Sequence, residues 1–492
     1  MRRLLPGLLF AAATYVGCTF RVAGLGIGSS GDGGLAHDFA GVDLTGVDLS
    51  PPPSADLAGL CNGGVTSACD TDGVTLLGCN GNVPTSTVCS DGCSGEGVPH
   101  CKQLDPGGVA EPGDYEQTGL VEVIIPADAT AVFNTDTGEI NLPARPGGTG
   151  VMTGIGFRQA TQTGTTISVG IFSMKSLTVS DNAILDVVGS RPMSIVTSGD
   201  IVINGTIDVL GSCQVGSPVA GGFAGGASKS DGGNAGGGMG GGKPGLHPAS
   251  GTGGGGGGGY GEGGGDGATT SVNATSGGPG GLRFGDLAGN DPILVGGSGG
   301  ASGAGGLASS GGAGGSGGGA VQLASNASIT VGSSGIIQAG GCHGSPGIGI
   351  PTAGGGGGSG GSVLLEGRTV QISSGATIAA NGGAGAGGGA GEVGEDGHDN
   401  ADVAQGGAGG KGSSQGTAGG NGGHTGSLAG APGEAPTMMN NQGGGGGGGV
   451  GRIALKSKTG SVPLAGAVLS PEVGETSQGH PSPATVGLAQ FR

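Results

Sequence analysis

Short aliphatic triplets recur along the chain in the alternating pattern of half-buried strands, and polar or glycine-rich stretches separate them. Met193 to Leu210 holds three: Met193-Ser194-Ile195-Val196, Ile201-Val202-Ile203 and Thr206-Ile207-Asp208-Val209-Leu210. The same unit returns from Ala320 to Ala339 as Val321-Gln322-Leu323, Ser328-Ile329-Thr330-Val331 and Ile336-Ile337-Gln338. It returns again from Ser362 to Ala380 as Val363-Leu364-Leu365, Thr369-Val370-Gln371-Ile372 and Thr377-Ile378-Ala379. Leu177-Thr178-Val179 with Ile184-Leu185-Asp186-Val187 is a partial earlier copy, and Arg452-Ile453-Ala454-Leu455 opens a final one. Upstream, Leu120 to Ile125, Ala131 to Phe133, Glu139 to Leu142 and Thr165 to Val169 read as further strands. No stretch keeps a helical period with caps, so no helix of consequence is expected.

Strands this short cannot bury an apolar side alone. Stacking successive units edge to edge buries it and pairs each backbone with the rung above and below. The expected fold is therefore all-β, a parallel β-helix-like solenoid with long glycine-rich inserts, preceded by a small disulfide-rich module. Val321 and Val363 stand 42 residues apart, and Ile195 precedes Val321 by 126, three such steps. An antiparallel sandwich would also use short strands but needs no repeated three-strand unit. Disorder fits the composition but not the clustered aliphatics.

Composition sharpens this picture. Glycine supplies 133 of 492 residues, there is no Trp, and only three Tyr and nine Phe occur. A conventional aromatic core is ruled out, and ordered islands should alternate with glycine seas. Triplets such as Gly311-Gly312-Ala313-Gly314-Gly315-Ser316 permit packed polyproline II strands, but flexible loops are the preferred reading of the tracts. The net charge of −18 excludes phosphate-backbone recognition, so no nucleic-acid partner is expected, and it argues against docking on anionic lipid by charge.

Six cysteines, Cys61, Cys69, Cys79, Cys89, Cys93 and Cys101, crowd into some 40 residues and read as a disulfide framework with 15 connectivities open. Cys213 and Cys342 follow equivalent strands in two repeat units, one residue apart in phase. Stacking those units brings the two within disulfide reach.

The N-terminus has a positive start, Met1-Arg2-Arg3, then a short apolar run from Leu4 to Val16, too short to span a bilayer. Tyr15-Val16-Gly17-Cys18 resembles the lipobox of bacterial lipoproteins. The resemblance implies lipidation at Cys18, and Thr19 in place of aspartate implies the outer membrane or cell surface. Residues 1–18 are then a signal peptide with its lipidated cysteine, and 19–60, rich in Asp-Leu pairs around Pro51-Pro52-Pro53, a flexible linker. Residues 61–102 form the disulfide-rich module, 103–220 the first solenoid part, and 221–319 a glycine-rich insert. The solenoid repeats occupy 320–381, a second insert 382–449, and C-terminal strands 450–492. The tracts resemble those of PE-PGRS glycine-rich surface proteins in composition. The lipobox together with glycine-inserted repeats ending in Gly448-Gly449-Val450-Gly451-Arg452-Ile453-Ala454-Leu455 more closely resembles uncharacterised glycine-rich bacterial surface lipoproteins, which carry no activity to transfer.

Candidate chemistry is sparse. Gly240-Gly241-Gly242-Lys243 runs into Pro244 without a preceding strand, which is not a phosphate loop. Glu392, Glu395, Asp396, His398, Asp399 and Asp402 could offer oxygen ligands to calcium, but their order matches no calcium motif, and a solvated loop is the expectation. His37, His100, His247, His343, His398, His424 and His480 sit among glycines or prolines, none beside a nucleophile motif. No catalytic residue, metal site or cofactor is expected. The leading expectation is a non-catalytic cell-surface lipoprotein, structural or adhesive, held at the membrane by its lipid. Its partners would be an extracellular polysaccharide or another surface protein. The rival is a β-helix that binds or processes polysaccharide, although Tyr115 and Tyr260 are the only tyrosines beyond the leader to serve as sugar platforms.

Overall fold

A computed structural model of the chain describes residue 61 and residues 67–80, 83–96, 98–210, 213, 219–247, 251–270, 276–287, 289, 292–411, 415–436, 442–477 and 479–492. The leader and linker readings for 1–60, Cys18 and His37 included, lie outside the described residues. What is described is almost entirely β.

The disulfide-rich region comes first. Strands β1 (Ser67–Cys69), β2 (Thr75–Asn80) and β3 (Val83–Val88) pair antiparallel, as do β4 (Cys93–Ser94) and β5 (His100–Cys101). Few apolar side chains are buried here, Leu77 among them, so the bridges Cys61–Cys79, Cys69–Cys93 and Cys89–Cys101 supply the constraint that a core would. The buried carboxylate of Asp91 docks the region, meeting both Arg368 and Lys458.

Next come β6 (Leu104–Asp105), the one-turn helix α1 (Pro112–Tyr115), β7 (Glu122–Ile125) and β8 (Thr130–Asn134). An antiparallel run of β9 (Gly150–Met152), β10 (Ile155–Thr161) and β11 (Ser168–Met174) follows. The repeated units then begin with β12 (Ser176–Val179) and β13 (Ile184–Val188), and continue with β14 (Met193–Thr197), β15 (Ile201–Ile203) and β16 (Thr206–Asp208). After a small pair, β17 (Ser230–Gly232) and β18 (Gly305–Ser310), the units resume. They comprise β19 (Ala320–Val331) with β20 (Ile336–Gln338), β21 (Ser362–Ile372) with β22 (Thr377–Ala379), and β23 (Arg452–Ser457) with β24 (Val468–Ser470). Strands β25 (Ala484–Leu488) and β26 (Gln490–Phe491) close the chain.

Successive units pair in parallel, and their inward residues form continuous ladders. Phe172, Ile195, Leu323, Leu365, Leu455 and Val486 align across β11, β14, β19, β21, β23 and β25. Val123, Leu177, Ile201, Ile329 and Val370 make a second ladder. Ala131, Leu185, Ile207, Ile337, Ile378 and Leu469 make a third, in a separate six-stranded parallel sheet. The ladders converge in one core, where each buried aliphatic contributes about 1.5–3 kcal/mol before entropy is counted. The constant 42-residue step is not kept. Ile195 aligns with Leu323 rather than Val321, because everything between β16 and β19 is one excursion and adds no rung to these sheets. Glu139 to Leu142 is not a strand either: Ile140 makes only single bridges, to Phe133 and Arg145, and Pro143 removes the next donor.

A second, smaller core covers the outer side of the first strands. Leu104, Ala110, Tyr115, Leu287 and Leu294 pack over Ile171, Val196, Ala320, Leu364 and Ala454. A polar network is sealed beneath: the Glu366 carboxylate accepts from Gly107 N–H at 2.9 Å and Gln322 Nε2 at 2.7 Å, and lies 3.3 Å from Lys456 Nζ. Every charge there has a partner, as burial requires.

The glycine tracts differ from the flexible-loop expectation. Excursions leave after β16, β20 and β22 and return at the starts of β19, β21 and β23. Along residues 353–361 the backbone donors cycle among three neighbours. Ala353, Gly356 and Ser359 donate to Ala304, Ala301 and Ser298; Gly354, Gly357 and Gly360 donate to Gly443, Gly446 and Gly449; Gly355, Gly358 and Gly361 donate to Ser345, Cys342 and Ala339. A cycle of three residues per turn is the repeat of polyproline II. Tract 443–451 behaves alike, with Gly446 and Gly449 donating to Gly255 and Gly258, which donate in turn to Gly354 and Gly357. The result is a buried layer of packed extended segments. Its spacing demands glycine: a Cβ on Gly355 would stand 1.9 Å from Ala313 O, and one on Gly357 would stand 2.0 Å from Gly383 O.

Candidate functional site

Two neighbouring turns of the glycine layer, at residues 305–310 and 347–352, carry large exposed apolar residues. Strands β17 and β18 pair antiparallel there, and single bridges join Gly305 to Thr352 and Ser310 to Ile348. Ser309 Oγ accepts from Gly306 N–H at 3.0 Å and donates to Pro351 O at 2.6 Å, pinning the two turns together. On this pinned base Leu307 is 85% exposed, Ile348 77% and Ile350 54%. Large aliphatics held outward on fixed loops form a ready contact surface. Sequence patterning missed it because each residue sits alone among glycines and prolines, and only the bridges between turns bring the three together.

Cys213 and Cys342 are joined in a disulfide with α-carbons 5.2 Å apart, across units that are neighbours in the stack. Beside it, Asp396 takes two hydrogen bonds from His343, from the backbone N–H at 2.9 Å and from Nδ1 at 2.6 Å. That bond to Asp396 outweighs burial and raises the His343 pKa above its ordinary value. Among the described residues, the one group of His, Cys, Asp or Glu close enough to share an ion is Cys213, Cys342 and Asp396. With its two sulfurs bonded to each other, it offers no thiolate ligands.

The acidic stretch does not converge on a site. Asp396 turns to His343, Glu395 pairs with His398 at 3.3 Å and accepts from Gln405 N–H at 2.8 Å, and Asp402 accepts from Asn400 Nδ2 at 3.0 Å. Neither Glu392 nor Asp399 joins a ligating group. The calcium candidate is thereby replaced by local pairings in the wall of the glycine layer. The other described histidines are scattered: His100 Nδ1 bonds Val98 O, His424 Nδ1 lies 3.3 Å from Gly422 O, and His480 is exposed. Lys243 N–H donates to Pro279 O inside the layer, so the Gly240–Lys243 run serves packing.

Both tyrosines beyond the leader are buried. Tyr115 Oη donates to Leu104 O. Tyr260 stacks against Phe284 under the Arg452 guanidinium, and burial pushes its hydroxyl up to about 12. Neither ring face is open to a sugar. No described helix is long and apolar enough to cross a membrane. No family model, no curated protein and no solved structure matches this chain.

Proposed function

We propose that the chain is a non-catalytic, exported surface lipoprotein with a structural or adhesive role, tethered through Cys18. In this reading the stacked units form a parallel β-solenoid, and the polyproline II layer stiffens one side of it. The in-register ladders support the solenoid, as do the three paired segments of β14, β15 and β16, which recur in β19 with β20 and in β21 with β22, where a register shift divides the longer strand in two. The observation that carries the functional reading is the three-residue hydrogen-bond cycle among the glycine tracts. It builds a rigid body from segments that have almost no side chains for chemistry, and it ends in the pinned aliphatic knuckle of Leu307, Ile348 and Ile350.

The test uses cells displaying the full chain. Cys18→Ala should shift the protein from the membrane fraction to the soluble one. The triple variant Leu307→Ser, Ile348→Ser, Ile350→Ser should lower retention of cells on an apolar surface while the far-UV spectrum stays unchanged. Retention indifferent to the triple variant argues against adhesion through the knuckle. Cleavage of uronic-acid polymers by the purified chain would contradict the non-catalytic reading and favour a polysaccharide-processing one.

A further inference from the structure

The two parallel sheets end unequally. Among the described residues, the first continues past β23 to β25, whereas the second stops at β24, which pairs with β22 and no other strand. Val468 N–H already donates to Ala376 O at 2.8 Å, and Ser470 O accepts from Ala380 N–H at 2.7 Å. Backbone groups of successive residues in a strand point to opposite edges, so the N–H and C=O of Leu469 face away from β22. Beside that edge lies a groove of about 440 Å³ lined by Ala401, Leu464, Ala467, Leu469 and Val473, with Glu472 exposed at its rim. The ladder Ile207, Ile337, Ile378, Leu469 runs out there.

The opposite end of the same sheet is closed. Asn134 N–H donates to Glu139 O and Asn141 N–H to Val132 O, so residues 139–141 lie along the outer edge of β8. Arg145 is buried behind them, donating to the carbonyls of Gly138, Pro146, Gly148, Gly150 and Ile155. A strand end with both an unpaired edge and an unfilled apolar position is a template for strand addition.

We propose that β24 receives an extended strand from another protein as the missing rung, with an aliphatic residue at its centre and basic residues on its flanks. The aliphatic centre follows from the ladder, whose next position stands over Leu469. The basic flanks follow from Glu472 at the rim and from the net charge of −18. A second copy of this chain is the poorer occupant: the far end of the sheet is capped, and edge-to-edge pairing would set Glu472 against its own counterpart.

The experiment measures anisotropy of a labelled peptide, Lys-Thr-Val-Ile-Val-Thr-Lys, titrated with the full chain. One-site saturable binding is expected. N-methylation of the Val that follows the central Ile should weaken it about tenfold, because in a parallel rung that amide is the one donating to the Leu469 carbonyl. Glu472→Lys should weaken it about two- to fivefold at low salt, and Ala467→Arg, which fills the groove, should abolish it. Thermal unfolding checks each variant; if Ala467→Arg fails to fold, the N-methyl peptide and Glu472→Lys decide alone. Absence of saturable binding, or binding indifferent to N-methylation, overturns the proposal. So does a peptide-free dimer in sedimentation that Glu472→Lys strengthens, since the occupant would then be a second copy.

Discussion

His343 and Asp396 lie 53 residues apart in the chain and meet beside a disulfide. The imidazolium is favoured by the carboxylate, so the His343 pKa is raised on folding. A raised folded value means stabilisation that is fully present below the unfolded pKa of about 6.5 and fades as pH climbs through the folded value. Asp396→Asn should therefore lower urea-unfolding stability more at about pH 5.5 than at about pH 9. An equal loss at both would mean that the pair acts only as a neutral hydrogen bond. Residue-level reading of the sequence reached the bridging of Cys213 and Cys342 because both follow strands of a visible repeat. It did not reach His343–Asp396 or Glu366–Lys456, since a polar partner far along the chain leaves no periodic trace. The buried roles of Tyr115 and Tyr260 were likewise invisible: a lone aromatic in a polar or glycine-rich stretch reads the same whether it is covered or not.

At the scale of elements, the aliphatic triplets were legible and their strands lie where alternation put them, because burying one face requires that alternation. The hairpin of β9 and β10 was not, since Gly150 to Thr161 mixes apolar and polar residues without a clean period. The order of the glycine tracts was the larger omission. Their cohesion lies in main-chain hydrogen bonds and close approach, neither of which uses a hydrophobic pattern. A trace does exist: Ala313 and Ser316, Ser298, Ala301 and Ala304, and Ala339, Cys342 and Ser345 put the non-glycine residues three apart, at positions where the layer has room for a side chain. At Gly357 there is no such room. Gly357→Ala would drive a Cβ into Gly383 O and should destabilise the chain by at least about 2 kcal/mol in urea unfolding. Gly487→Ala, whose Cβ would meet nothing within 4 Å, should stay within about 0.5 kcal/mol. Equal effects at the two positions would remove the packing argument.

For the whole molecule, two materials are joined along the same chain. One is a stack of β rungs held by aliphatic burial, the other a sheaf of extended glycine segments held by backbone hydrogen bonds, and each excursion of the second returns to the first at an equivalent strand. The repeat told which strands stack, but the number of rungs could not be counted from spacing, because the excursions differ in length. The central claim is that the glycine tracts are as ordered as the strands they serve. Amide hydrogen exchange tests it most directly. The account predicts that amides of 353–361 and 443–451 are protected to a degree comparable with those of β21 and β23, whereas exchange of these glycines at the rate of an unstructured peptide, alongside protected strands, would contradict it.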